Sequence, residues 1–207
     1  MCGRVHLAAP FADIAIAMDI LAGGAAPNIE ADYNIAPTKR VVVVYLDPVT
    51  RRRVMEKMVW GLIPRWAKEP RMAYPTFNAK AETVDTLASF RAPWREGKRC
   101  LVVTEGFYEW KKGKKNPKNK QPYAIARAKS KFTVMAGLWE RWRDAISGEV
   151  IHSCTVITTA ASRDAFKLAV TCCFANHSAA PAMPTPTPVA KPPIRVPVST
   201  QSFHSML

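Results

Sequence analysis

The sequence predicts an α+β domain built mostly on antiparallel strands, and three observations carry that prediction. Short runs rich in β-branched and aromatic residues recur from Val41 to Thr158, only two segments have helical character, and strands do not alternate with helices as a doubly wound parallel sheet requires.

In chain order, Phe11 to Ala22 spaces its apolar residues helically and stops at Gly23 and Gly24, which predicts a helix. Val41 to Leu46 is a β-branched run followed by Asp47-Pro48, and Val54 to Gly61 roughly alternates apolar with polar residues. Together they predict a hairpin. Lys80 to Phe90 carries Ala, Glu and Leu without Gly or Pro and predicts a second helix, with Asn78 just ahead of its start. Cys100 to Val103, Phe107 to Trp110, Tyr123 to Ala126, Phe132 to Leu138 and Val150 to Thr158 add five strands, and no internal repeat is present.

A chain of 207 residues has room for one domain, or one domain and a tail. Seven of its 17 prolines fall between Pro181 and Pro197, which excludes helix and central strand there. The folded domain is therefore expected over 1–178, with an extended or disordered Pro-rich tail over 179–207. No apolar run is long enough to span a membrane, and the start lacks the layout of a secretory signal, so the expected location is the cytoplasm. Five cysteines without an export signal argue against a disulfide framework.

The formal charge is 30 − 16 = +14, which makes a polyanion the natural partner and nucleic acid the first choice. Nine basic residues and no acidic one lie between Lys111 and Lys131, reading as the tip of a basic hairpin that faces a polyanion or simply raises solubility. Trp60-Gly61-Leu62-Ile63-Pro64-Arg65-Trp66 sets two indoles and a guanidinium around a turn, which suits base stacking beside a phosphate contact; core packing explains Trp60 equally well.

Cys2 directly follows Met1, and a residue this small permits removal of the initiator. The free α-amine and the thiol would then share one residue, both nucleophilic near neutral pH. Aldehydes are the matched electrophile: the amine forms a Schiff base and the thiol closes on the imine carbon to give a thiazolidine. A second-residue Cys without any role is the competing reading. Glu109, among Phe107, Tyr108 and Trp110, reads either as a general acid or base with a raised pKa or as an outward-facing strand residue paired with a nearby lysine. Asn78 reads as a helix cap. Cys172 and Cys173, with Cys154 and His177, lack the ligand spacing of a zinc site, so no metal is expected.

Taken together, Met1-Cys2-Gly3-Arg4, Tyr33-Asn34-Ile35-Ala36-Pro37-Thr38, Trp60-Gly61-Leu62-Ile63-Pro64, Asn78-Ala79-Lys80-Ala81-Glu82, Cys100-Leu101 with Gly106-Phe107-Tyr108-Glu109-Trp110, Ala136-Gly137-Leu138-Trp139-Glu140 and Ile157-Thr158-Thr159-Ala160 resemble the SOS response-associated peptidase (SRAP) family over residues 1–162. The resemblance implies a curved or barrel-like sheet with a few flanking helices. It implies a protein of the DNA damage response that senses abasic sites in single-stranded DNA and forms a thiazolidine crosslink through Cys2 after Met1 removal. Autocatalytic peptidase processing ahead of Cys2 and lyase-like strand cleavage are implied as well, with no cofactor and a monomeric protein. By resemblance Cys2 is the nucleophile, Asn78 positions the reacting terminus, Glu109 moves protons, and Arg4, Trp60, Lys80, Trp110 and Thr159 line the DNA groove.

Two departures stand out. Lys80 replaces the family's usual Arg, keeping the charge without the bidentate fork. The family's His-x-Arg-Met-Pro segment is absent, and His177, followed by Ser-Ala-Ala-Pro, takes no assigned role. The composition change after about Phe166 is what a frameshifted or truncated gene would leave. Two other functions fit the residues: a noncovalent basic binder of single-stranded DNA, and an N-terminal-nucleophile amidohydrolase beginning with Cys-Gly.

Overall fold

A computed structural model describes residues 2–20, 27–112 and 120–159. The expected domain boundary near 178, the Pro-rich tail, Cys172, Cys173, His177 and most of the basic hairpin tip lie outside these residues.

The order of elements is β1 (Val5–Leu7), α1 (Phe11–Ala17), β2 (Asp32–Ile35), β3 (Arg40–Leu46), β4 (Arg53–Trp60), β5 (Asn78–Lys80), α2 (Arg91–Arg95), β6 (Arg99–Thr104), β7 (Gly106–Lys112), β8 (Lys120–Ile125), β9 (Thr133–Arg143) and β10 (Val150–Thr158). The expected hairpin is present, with Val41 opposite Met58 and Tyr45 opposite Val54. The five later strands also form where the β-branched runs lie.

These strands build two sheets. One runs β4-β3-β6-β9-β10, and a further pairing of β4 with β10 closes it into a five-stranded barrel. The other runs β2-β1-β7-β8, all antiparallel. The chain passes between them at Glu105, whose N–H donates to His6 O (2.9 Å) and whose carboxylate accepts from Ala8 N–H (2.7 Å). One continuous core joins the sheets. Val5, Leu7 and Ile35 from the small sheet and Ile14 from α1 pack with Val41 to Tyr45, Trp60 and Leu101 to Val103 of the barrel. This explains why Val41 to Tyr45 is an unbroken apolar run: these five residues are all buried.

The seam of the barrel is short. β10 meets β4 in parallel only at Ser153 opposite Val59 and Cys154 opposite Trp60. Beyond that point the same edge of β10 receives β5, with Val156 opposite Asn78 and Thr158 opposite Lys80. The hand-over depends on Gly61, at φ +144°, a value that L side chains rarely adopt, whose N–H donates to Cys154 O (2.9 Å) as the chain leaves β4.

Both helices differ from expectation. α1 ends at Ala17 rather than Ala22, because Asp19 takes a positive φ of 53° and Arg53 reaches both Met18 O and the Asp19 carboxylate, at 3.1 Å each. Lys80 to Phe90 is not a helix. Lys80 ends β5, Ala81 N–H donates to Thr158 O (2.8 Å), and residues 81–90 form successive turns that lead into α2. The β-branched Thr83, Val84 and Thr86 lower its helix propensity, and the sheet takes its first residues. Among the described residues no helix is long and apolar enough to cross a membrane.

Gly137 sits where β9 passes closest to its neighbours. A Cβ there would lie 2.4 Å from Thr155 O and 3.0 Å from Cys100 Sγ. Gly137→Ala should therefore cost about 1–3 kcal/mol of stability and lower the thermal midpoint by roughly 3–10 °C, read from a circular dichroism melt. A melt within a degree of wild type would show that the strands separate without cost.

Candidate active site

The start of the chain continues β1 along β7. Val5 pairs with Phe107, and Tyr108 N–H donates to Arg4 O (2.9 Å), so Cys2 to Arg4 run beside the strand that carries Glu109. Cys2 is buried and belongs to the core that joins the sheets. Across from it, Asn78 opens β5 on the barrel, and its Nδ2 donates to Cys2 O at 2.7 Å. The amide at this position serves the N-terminal segment rather than a helix, which corrects the cap reading.

The electrostatics are lopsided. Burial pushes the Cys2 thiol up to about 11; the Arg4 N–H hydrogen bond works against this, and the negative charge of Glu109 adds to it. The thiol is therefore protonated at neutral pH, with about one molecule in ten thousand as thiolate. Asn78 Oδ1 is buried and accepts no hydrogen bond among the described residues. A buried carbonyl with an open lone pair marks either a water site or a place kept for a donor.

Cys2, Asn78 and Glu109 are thus brought together from the chain start, the barrel and the small sheet. Arg4 points toward Asn34, its Nη1 donating to Oδ1 at 2.7 Å. Lys80 lies two residues past Asn78 and is exposed, as is Thr159, which follows the Thr158 that faces Lys80 across β5 and β10. Trp110 is 43% exposed, enough to offer a ring face. Trp60 does not join them. It is fully buried, its indole N–H donates to Phe77 O (2.9 Å), and it packs edge-on against Phe77 at 6.0 Å. It props the segment leading to Asn78 and offers no surface for stacking, so the core reading of Trp60 replaces its placement in a DNA groove.

Two contributors escaped sequence reasoning. Asn34 fixes the Arg4 guanidinium, and Tyr108 O–H donates to Tyr33 O at 3.1 Å, tying β7 to the β2 segment under Arg4. Only their places in the Tyr33 to Thr38 and Gly106 to Trp110 motifs hinted at them. Among the described residues no group of His, Cys, Asp and Glu could hold a metal ion.

Cys2 near the chain start, with its carbonyl held by the Asn78 amide and its thiol in the field of the Glu109 carboxylate, lies where a five-stranded barrel meets a small antiparallel sheet. The model of the SOS response associated peptidase (SRAP) family matches residues 1–169, and the chain belongs to that family. It is 37% identical over 159 residues to the abasic site processing protein YoqW of Bacillus subtilis, covering 77% of this chain and 68% of the relative. It is 32% identical over 166 residues to the abasic site processing protein HMCES of Xenopus tropicalis, covering 68% of this chain and 49% of that one. A crystal structure of a protein from Bacteroides thetaiotaomicron superposes with a TM-score of 0.64 at 26% identity, covering 76% of this chain and 68% of the other.

Because the Glu109 charge helps to hold the Cys2 thiol up, Glu109→Gln should lower the pKa of that thiol. At pH 8.5 the substitution should speed alkylation of Cys2 by iodoacetamide, followed by peptide mass mapping. An unchanged or slower rate in a variant with a wild-type melt would show that the carboxylate does not act on the thiol.

Proposed function

We propose that this chain captures the ring-opened aldehyde of an abasic site in single-stranded DNA as a thiazolidine on Cys2, shielding the lesion during the DNA damage response. The observation that carries the reading is the 2.7 Å hydrogen bond from Asn78 Nδ2 to Cys2 O, which fixes the reacting residue against the barrel beside Glu109. The relatives' names point to the same substrate.

Met1 must leave first, which frees the α-amine. The amine nitrogen adds to the aldehyde carbon, and the carbinolamine loses its hydroxyl as water to give an imine. The thiol then adds across C=N, sulfur to carbon and proton to nitrogen, closing the five-membered ring. One water is released overall and nothing is oxidised or reduced. The amine attacks first, and the S–H proton passes to nitrogen at ring closure. Glu109 takes a proton from the ammonium group and returns one to the departing hydroxyl. Asn78 Oδ1 offers the freed amine an acceptor that costs no competing bond. Arg4 and Lys80 neutralise phosphates on either side, while Trp110 stacks on a base. Removal of Met1 by this same site, and strand cleavage from the imine, are the peptidase and lyase activities that follow from the chemistry. The setting is the cytoplasm, on chromosomal DNA.

The test is denaturing electrophoresis, with intact mass, of protein mixed with a single-stranded oligonucleotide carrying one abasic site. The expected product has the mass of Met1-free protein plus oligonucleotide less one water, and it is absent with Cys2→Ala. Asn78→Ala should slow its appearance by roughly 10- to 100-fold through lost positioning, and Glu109→Gln by about 100-fold or more. Wild-type protein that melts cooperatively, lacks Met1 and still forms no adduct would overturn the proposal in favour of noncovalent binding.

A further inference from the structure

Arg65 and Trp66 occupy the tip of a turn from Pro64 to Ala67 that is held rigidly. Ala67 N–H donates to Pro64 O at 2.9 Å, the buried Trp142 donates its indole N–H to Ala67 O at 2.8 Å, and Trp66 donates its own to Ala88 O at 3.2 Å. The Arg65 side chain is 56% exposed and Trp66 53% exposed, so a guanidinium and an indole stand side by side at the surface.

Arg65 Nη2 meets Glu96 Oε1 at 2.6 Å. The other oxygen of Glu96 is gripped by Lys98 at 3.0 Å, and Lys98 is anchored by the fully buried Glu140. From Arg91 to Arg99 Glu96 is the sole acid, among Arg91, Arg95, Lys98 and Arg99. Although burial works against its charge, the hydrogen bonds and charges of Lys98 and Arg65 hold its carboxyl below the usual range. Glu96 is thus an ionised, two-oxygen anion fixed from behind by Lys98, presenting its free side to Arg65. A guanidinium binds a carboxylate and a phosphodiester through the same fork. In a neighbourhood this cationic, a single carboxylate on the exposed arginine fills the place a phosphate would take.

We propose that Arg65 is a backbone-phosphate site for single-stranded DNA, occupied in the free protein by the Glu96 carboxylate, which the arriving strand displaces. Displacement strands no charge, because Glu96 keeps Lys98 as its partner. The proposal rests on the DNA reading above for the identity of the ligand, and on the Arg65, Glu96 and Lys98 geometry for the site.

Binding of the full chain to a labelled, undamaged single-stranded oligonucleotide, followed by fluorescence anisotropy across a salt series, tests it. Arg65→Gln should weaken binding severalfold and reduce the log–log salt slope by about 0.7, one phosphate's share on a single strand. Glu96→Gln should tighten binding by about two- to fivefold at low salt, the worth of an exposed ion pair. In an Arg65→Gln background, Glu96→Gln should bring little of that gain. The same gain in both backgrounds would mean that only net charge matters, and no gain in the single variant would mean that Glu96 does not compete; either result overturns the site. Where Arg65→Gln fails a thermal melt, Arg65→Ala serves as the background in its place. Undamaged DNA keeps the two proposals apart. Tight binding here without an adduct on abasic DNA overturns the capture chemistry and leaves this site standing, and an adduct with an indifferent Glu96→Gln does the reverse.

Discussion

One edge of β10 is divided between two strands, and that division decides where the reactive groups lie. β4 pairs with β10 only at Ser153 and Cys154 before the chain leaves at Gly61, and β5 takes over from Val156 to Thr158. Without the departure, β4 would run on along β10 and no strand could carry Asn78 to this edge. With it, the segment from Leu62 to Phe77 loops out and returns, and its return is fixed by Trp60, whose indole holds Phe77 O while Val156 N–H donates to the same carbonyl at 3.0 Å. Asn78 is thus set by one indole and one main-chain hydrogen bond to Phe77 O, and its reach to Cys2 follows from backbone placement more than from side-chain freedom.

Cys2 ties the small sheet to the barrel at the same place. Cys2, the nucleophile of the proposed function, lies inside a core, where burial suppresses the thiolate on which cysteine reactivity ordinarily depends. Here the suppression is consistent with the chemistry proposed. In the proposed chemistry the first bond is made by the amine, so capture does not begin with a thiolate. Cys100 and Cys154 differ from Cys2 in their surroundings. Those thiols are also raised by burial, but among the described residues no side-chain amide or carboxylate acts on them, and they pack as core side chains of the barrel.

Much of the barrel was legible in the sequence because its strands are long enough to show composition: Val41 to Leu46 and Val150 to Thr158 announce themselves by β-branched content. β1, β2 and β5 span three or four residues each, too few for a period to emerge, and they form because neighbouring strands supply hydrogen bonds that no local pattern records: β1 lies between β2 and β7, while β2 pairs with β1 and β5 with β10 at the sheet edges. Asn78 illustrates the limit. The Ala-Lys-Ala-Glu that follows it favours a helix locally, yet the open edge of β10 captures the segment as strand. Chain position revealed Cys2, and an unusual neighbourhood of aromatics marked Glu109. Trp60 was ambiguous for a physical reason, since an indole beside a Gly-turn satisfies the pattern of a stacking platform and of a core prop alike, and only its burial separates them.

The barrel seam shows how little main-chain pairing the architecture needs when side chains assist. Two residue pairs join β4 to β10, but Glu56 of β4 reaches across to His152 Nδ1 of β10 at 2.7 and 2.9 Å, and Tyr45 of β3 donates to the same carboxylate at 3.2 Å. Trp139 of β9 covers this group, 4.6 Å from Tyr45 and 6.0 Å from His152 between ring centroids. On the inner side Ser153 Oγ accepts from Ile63 N–H at 2.9 Å, so the chain leaving β4 is bound to β10 twice more after the ladder has ended. The Glu56 carboxylate thus links β3, β4 and β10 through one hydroxyl and one imidazole. It helps to hold β4 and β10 in one register, and that register together with the departure at Gly61 sets the place at which β5 enters.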